Sequence, residues 1–209
     1  MRIPNILVTG IAAGVIAVSA SAVFAADAPP ERIRGTIESV QGSTLVVKAR
    51  SGQSDTITLA PDVQVATVKD VALGDIKQGD FVGTAAVPGA NGHLKALELH
   101  LFPEAMRGSG EGFRPFDLQP NSSMTNATIG QITEMSANGR TLTLNYKDGD
   151  KTGQQIVDIP AGVPVVEFLP GDASLLQPGK AVILFAVKQG DGYASKRLVV
   201  ESNGVKPPM

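Results

Sequence analysis

The feature that most limits the fold of this chain is an internal repeat whose own pattern has a period of two. Arg34-Gly35-Thr36-Ile37-Glu38-Ser39-Val40 is matched by Ile129-Gly130-Gln131-Ile132-Thr133-Glu134-Met135, and Thr44-Leu45-Val46-Val47 by Thr141-Leu142-Thr143-Leu144. Further on, Val63-Gln64-Val65 is matched by Val163-Pro164-Val165, Ile76-Lys77-Gln78-Gly79 by Leu176-Gln177-Pro178-Gly179, and Ala86-Val87 by Ala186-Val187. The offset settles at 100 residues over the second half of the unit, as a tandem duplication with small loop differences would give. Inside each copy, Thr56-Ile57-Thr58-Leu59 and Ile156-Val157-Asp158-Ile159 alternate polar and apolar side chains. Those segments, Phe81-Val82-Gly83 and the spaced Leu97, Leu99 and Leu101 read as short half-buried strands.

Turn chemistry separates these strands at Gln41-Gly42, Ser51-Gly52, Asn91-Gly92, Asp148-Gly149 and Asp191-Gly192. Gln177-Pro178-Gly179-Lys180 predicts a type II turn, with proline presetting φ and glycine supplying the positive φ that follows. The matching Lys77-Gln78-Gly79-Asp80 keeps that glycine. Before each turn, Asp70 to Ile76 and Gly171 to Leu176 have room for a single helical turn. A sheet of five to six short strands leaves edges and a bare face, which closure into a barrel removes. The expectation is an all-β chain of two tandem small barrels, at 26–101 and 127–203, each with one short helical turn, followed by a tail at 204–209.

Between the repeats lies a joining segment, 102–126, with no period. It exceeds the roughly 12–15 residues beyond which structureless loops become uncommon. It carries Phe102, Phe113 and Phe116, three of the seven phenylalanines, so it should pack against something. Two accounts stay open. Met106, Arg107, Phe113, Arg114, Phe116 and Asp117 form a docking site for an envelope protein, or the aromatic side chains clamp the two barrels together.

The N-terminus predicts export. Arg2 precedes an apolar run from Ile6 to Val18, and Val23 and Ala25 fit the −3 and −1 positions of a signal-peptidase site, giving a signal peptide over 1–25. That run is shorter than the roughly 20 residues of a spanning helix, so no membrane span is expected after cleavage, and the compartment is the periplasm. Cleavage removes one of the 18 basic groups and leaves 17 against 20 acidic ones, which argues against a nucleic-acid surface. Without cysteine there is no disulfide or thiolate chemistry. With no Trp, two Tyr and seven Phe, aromatic stacking platforms are not expected.

The pattern Gly-x-Ile-x-x-Val, Thr-Leu-x-Val, a helical turn, Lys77-x-Gly79-Asp80-Phe81-Val82-Gly83 and Gly92-x-Leu94-x-Ala96 resembles the DUF5666 family of bacterial envelope proteins. The segment Phe102-Pro-Glu-Ala-Met-Arg-Gly-x-Gly-Glu-Gly, Ser123 to Thr128 and the C-terminal Gly204-Val205-x-Pro207-Pro208-Met209 are similar to a two-unit proteobacterial set, some of whose members are labelled metal-transporter permeases. That label needs several spanning helices, whereas the signal peptide is the only apolar candidate here. The resemblance implies OB-like barrels and no established activity. The set has His and Trp where this chain has Phe113 and Phe116, which weakens any metal or acid–base role for the segment.

Candidate chemistry is sparse. Asp148-Gly149-Asp150 imitates the start of an EF-hand loop, but its twelfth position is Ile159, so a hairpin loop is the better account. His93, Glu98 and His100 are the candidate metal ligands, with Glu98 and His100 on one strand face. Two converging ligands fall short of the usual three or four, and a solvated strand face is the simpler account of them. Met106, Met124, Met135 and Met209 are too scattered for a soft-metal cluster. No nucleophile motif is present, so no catalytic residue and no cofactor is expected. Three functions remain: a non-enzymatic binding or scaffold protein, a metal-handling accessory protein, or an oligosaccharide-binding OB-type module.

Overall fold

The computed structural model of the chain describes residues 30–134 and 139–208; the expected signal peptide over 1–25, Met135 and Met209 lie outside them. Thirteen strands are present among the described residues: β1 (Glu31–Gln41), β2 (Thr44–Ala49), β3 (Ser54–Asp70), β4 (Phe81–Pro88), β5 (Leu94–Ala96), β6 (Leu99–Leu101) and β7 (Gly112–Pro115). They continue with β8 (Ser123–Glu134), β9 (Arg140–Asp148), β10 (Lys151–Ile159), β11 (Val165–Pro170), β12 (Ala181–Gln189) and β13 (Gly192–Val200). Alternation sets which face each strand buries. Leu45 and Val47 of β2 are fully buried, as are Leu142 and Leu144 of β9, and the side chains between them are not. The only helical pieces among the described residues are single 3-10 turns, and no helix is long and apolar enough to cross a membrane.

The fold is all-β and contains a closed five-stranded barrel. Antiparallel pairing runs β12–β1, β1–β2, β2–β3 and β12–β13, and the ring closes by parallel pairing of β13 with β3. Ile37, Leu45, Val47, Ile57, Leu184 and Leu198 fill its interior. Leu176 plugs one end, held by the 3-10 turn Ala173–Leu175, which Asp172 caps by accepting from Ser174 N at 2.8 Å. Five of the remaining strands pair in the same order: β4 with β8, β8 with β9, β9 with β10, β10 in parallel with β5, and β5 with β4. Ile129, Leu142, Leu144, Val157 and Ile159 lie inside that circuit, with Ile76 following its own 3-10 turn, Leu73–Asp75. The expected turns are present in both halves, Asp80 N donating to Lys77 O and Lys180 N to Gln177 O at 3.2 Å, with φ near 90° at Gly79 and Gly179.

One difference from the sequence expectation is large. The closed barrel takes β1, β2 and β3 from the first repeat and β12 and β13 from the second, whereas each barrel was expected within its own half. The physical reason is the repeat itself. β12 and β4 carry the same pattern, so alternation alone gives either of them equal claim to pair with β1. The two sets are stitched together by β11, which pairs antiparallel with β3 through Phe168 and Val68 and in parallel with β6. Between them sits a third apolar cluster of Val68, Met124, Val166, Phe168, Ile183 and Val199.

Candidate functional site

The joining segment divides into two parts that do different work. Phe102, Phe116 and Leu118 pack onto the third apolar cluster. The Arg32 and Arg34 guanidiniums stack on the Phe116 ring at 4.6 and 5.5 Å. Asp117 accepts from Arg34 Nη2 at 2.8 Å and Nη1 at 3.2 Å, and pairs with Arg32 at 3.4 Å. Burial acts to raise the Asp117 carboxyl, but the hydrogen bond and charge of Arg34, helped by Arg32, hold it below its ordinary value. Met106 lies half-buried in the 3-10 turn Glu104–Met106, where Arg107 pairs with Glu104 at 2.7 Å and donates to Gly79 O at 3.1 Å. Arg114 donates to Gly110 O at 2.7 Å. Phe113, by contrast, is 38% exposed, and its ring lies beside Tyr146 at 6.4 Å. Phe116 and Asp117 therefore clamp, and Phe113 faces out. Phe116→Ala should lower stability by about 2 kcal/mol, roughly half the cost of emptying a full core site. Phe113→Ala should leave the urea midpoint unchanged; equal losses in the two variants would refute the division.

The metal candidates do not converge as a set. Glu98 and His100 meet, His100 Nδ1 lying 2.9 Å from Glu98 Oε2, while Glu98 Oε1 accepts from Ala85 N at 2.6 Å. Both residues are buried, at 0% and 2% exposure, so the expectation of a solvated strand face fails. Phe102 and Phe168 cover that face, their rings edge-on to the imidazole at 4.9 and 5.0 Å. His93 lies elsewhere. Its Nδ1 is 3.1 Å from Asp158 Oδ1, and Thr141 Oγ1 donates to the same oxygen at 2.7 Å. Both carboxylate oxygens of Glu98 are engaged within the protein, and no group of three or more His, Cys, Asp or Glu side chains gathers among the described residues. The residues around His100 do not fit a metal ion.

Matching strand pairings in the two halves supply an internal comparison for this buried pair. Gly83 pairs with His100 on one side and Asn126 on the other, and in the other half Ile183 pairs with Val199 and Arg34 in the same way. Where one half has Ile and Val, the other folds an imidazole over a glycine. A Cβ at Gly83 would run into His100 Nε2 and Asn126 Oδ1. Asn126 donates to Ser109 O at 3.0 Å, and its Oδ1 has no hydrogen-bond partner.

Sequence reasoning missed one groove. It opens on β8, β9 and β10 with a volume of about 550 Å³, lined by Glu111, Thr128, Asn145, Tyr146, Thr152 and Gln154. That size is within the roughly 300–1,000 Å³ of small-molecule sites. Register builds it. Thr128, Asn145 and Gln154 are cross-strand neighbours, with Gln154 Nε2 donating to Asn145 Oδ1 at 2.9 Å. Tyr146 is paired with Gly153, and its ring lies where a side chain on residue 153 would be. Glu111 reaches in from the joining segment and accepts from Lys147 N at 3.0 Å. Two of the few aromatic rings, Tyr146 and Phe113, thus stand together at one rim, although composition argued against such a platform.

No family model matches the chain, and no curated protein matches it. The site must be read from its own geometry. It gathers the Tyr146 ring, the Asn145 and Gln154 amides, the Thr128 and Thr152 hydroxyls, the Glu111 carboxylate and Lys147 along one groove. Nothing in it is a positioned nucleophile and base. At the neighbouring His93, the Thr141 hydroxyl and the imidazole both bond to Asp158, and no hydrogen bond joins them to each other.

Proposed function

We propose that the chain is an exported, non-catalytic binding module whose groove on β9 and β10 holds a hydroxyl-rich ligand, an oligosaccharide segment. The observation that carries this is the half-buried Tyr146 ring, laid over Gly153 where the groove also gathers the Asn145–Gln154 amide pair. Such a ring packs against the C–H face of a sugar, and amides and carboxylates satisfy its hydroxyls. The place also agrees with OB-type barrels, which bind oligosaccharides on the face of their second and third strands. β9 and β10 are the second and third strands of the second repeat. The pairings of β4, β5, β8, β9 and β10 support a second OB-like barrel, so the chain is two such barrels that have exchanged their last strands. The resemblance to the DUF5666 family and the signal-peptide pattern support a periplasmic location. A scaffold role through the joining segment is less favoured, because Phe116 and Asp117 are already engaged inside the molecule.

Chitotetraose and maltotetraose titrated by calorimetry into the full chain test the reading. Binding of at least one is expected, weakened about tenfold by Gln154→Ala or Phe113→Ala, both exposed side chains that the fold does not need. Absence of binding, or binding that both variants retain unchanged, would overturn it.

A further inference from the structure

A second surface, on the other barrel and independent of the sugar groove, gathers positive charge in a chain whose net charge is −2. Cross-strand register sets Arg32, Phe185 and Arg197 in one row over β1, β12 and β13. The Arg197 guanidinium lies 4.2 Å over the Phe185 ring, and Arg32 lies over Phe116. Arg34 is two residues along the same face, Arg50 follows β2 and donates its backbone N–H to Arg34 O at 2.8 Å, and Arg114 approaches from β7. Asp117 is the carboxylate among them, pairing with Arg34 and Arg32. Arg50, Arg114 and Arg197 form no ion pair among the described residues. Arg34 is nine-tenths buried, and its Nε has no hydrogen-bond partner.

Gathering Arg50, Arg114 and Arg197 near Arg32 and Arg34, whose one carboxylate partner is Asp117, is unfavourable. Burial, and then the Arg32 charge, push Arg114 and Arg197 below their ordinary value; burial and Arg34 do the same to Arg50. Guanidinium does not escape that cost by losing its proton at neutral pH, so an anion is its natural relief. The fold does not require the cluster. By pairing register, three residues off the sequence match, the position that corresponds to Arg32 in the other half holds Met124, which is buried, and the one that corresponds to Phe185 holds Ala85. The rings fix the planes of the Arg32 and Arg197 forks, leaving their outer N–H donors for oxyanions.

From this geometry we infer that Arg32 and Arg197, stacked on Phe116 and Phe185, form with Arg114 a binding site for a multivalent oxyanion, a ligand carrying two or more phosphate or carboxylate groups. Tripolyphosphate and citrate stand for the two sources. Each is titrated by calorimetry into the full chain, as wild type and as Arg114→Gln/Arg197→Gln, a variant that leaves the Asp117 clamp in place. The wild type should bind one equivalent, more weakly as salt rises. The double variant should bind about tenfold or more weakly, with each single variant between. Phe113→Ala should bind as the wild type does, which separates this site from the sugar groove. Binding of tripolyphosphate alone assigns phosphate, of citrate alone carboxylate, and of both an oxyanion site of either kind. No binding of either anion, or equal affinity in the folded double variant, would overturn the inference.

Discussion

Replacing His100 with alanine should cost about 3 kcal/mol, the cavity left by a buried side chain together with a buried carboxyl oxygen left without its partner. That is a large share of the roughly 5–15 kcal/mol by which domains of this kind are stable. The loss exceeds that of an ordinary cavity because Glu98 is left behind, fully buried, with Oε2 stripped of its partner. The remedy follows from the same geometry. Glu98→Gln keeps an oxygen for the Ala85 N–H and carries no charge, so the Glu98→Gln/His100→Ala double variant should be more stable than His100→Ala alone. Urea unfolding of the variants measures both steps. A loss below about 1 kcal/mol for His100→Ala, or a double variant less stable than the single, would contradict a partnered buried acid.

A fragment covering residues 30–101 should not form a compact folded monomer. It retains β1, β2 and β3 but lacks β12 and β13, which close their barrel. Ile37, Leu45, Val47 and Ile57 would then line an open sheet with two bare edges. Leu176, which plugs the barrel, would also be missing. Mixing this fragment with residues 102–209 should restore dispersed amide spectra at a one-to-one ratio, because each fragment carries the strands the other lacks. A fragment 30–101 that melts cooperatively as a monomer would show that each repeat completes itself.

These two cases mark where the sequence stops being informative. Alternation and turn residues were enough for strands such as β2, β9 and β10, for the 3-10 turns before Gly79 and Gly179, and for the hairpin at Asp148–Lys151. They were not enough for β7 or the start of β8, which lie in the segment 102–126 with no period. They place Glu98 and His100 on one face, but the covering of that face by Phe102 and Phe168 depends on long-range packing. Strand partners are illegible for a related reason: two equal patterns compete, and periodicity does not choose between them. The groove is a product of register. Tyr146 and Gly153 become neighbours only when β9 is paired with β10, and Glu111 arrives from a segment with no period. A hairpin register counted outward from Gly149 would have set Tyr146 opposite Gly153, and was the one available signal. The arginine cluster is spread over positions 32 to 197, and Arg197 reaches Arg32 only because β12 pairs with both β1 and β13.

Amide chemical-shift mapping of the full chain during a chitotetraose titration tests the binding role most directly. The account predicts shifts confined to Glu111, Phe113, Thr128, Asn145 to Lys147 and Thr152 to Gln154, the groove and its aromatic rim. Shifts centred elsewhere, or an unchanged spectrum with both chitotetraose and maltotetraose, would contradict it.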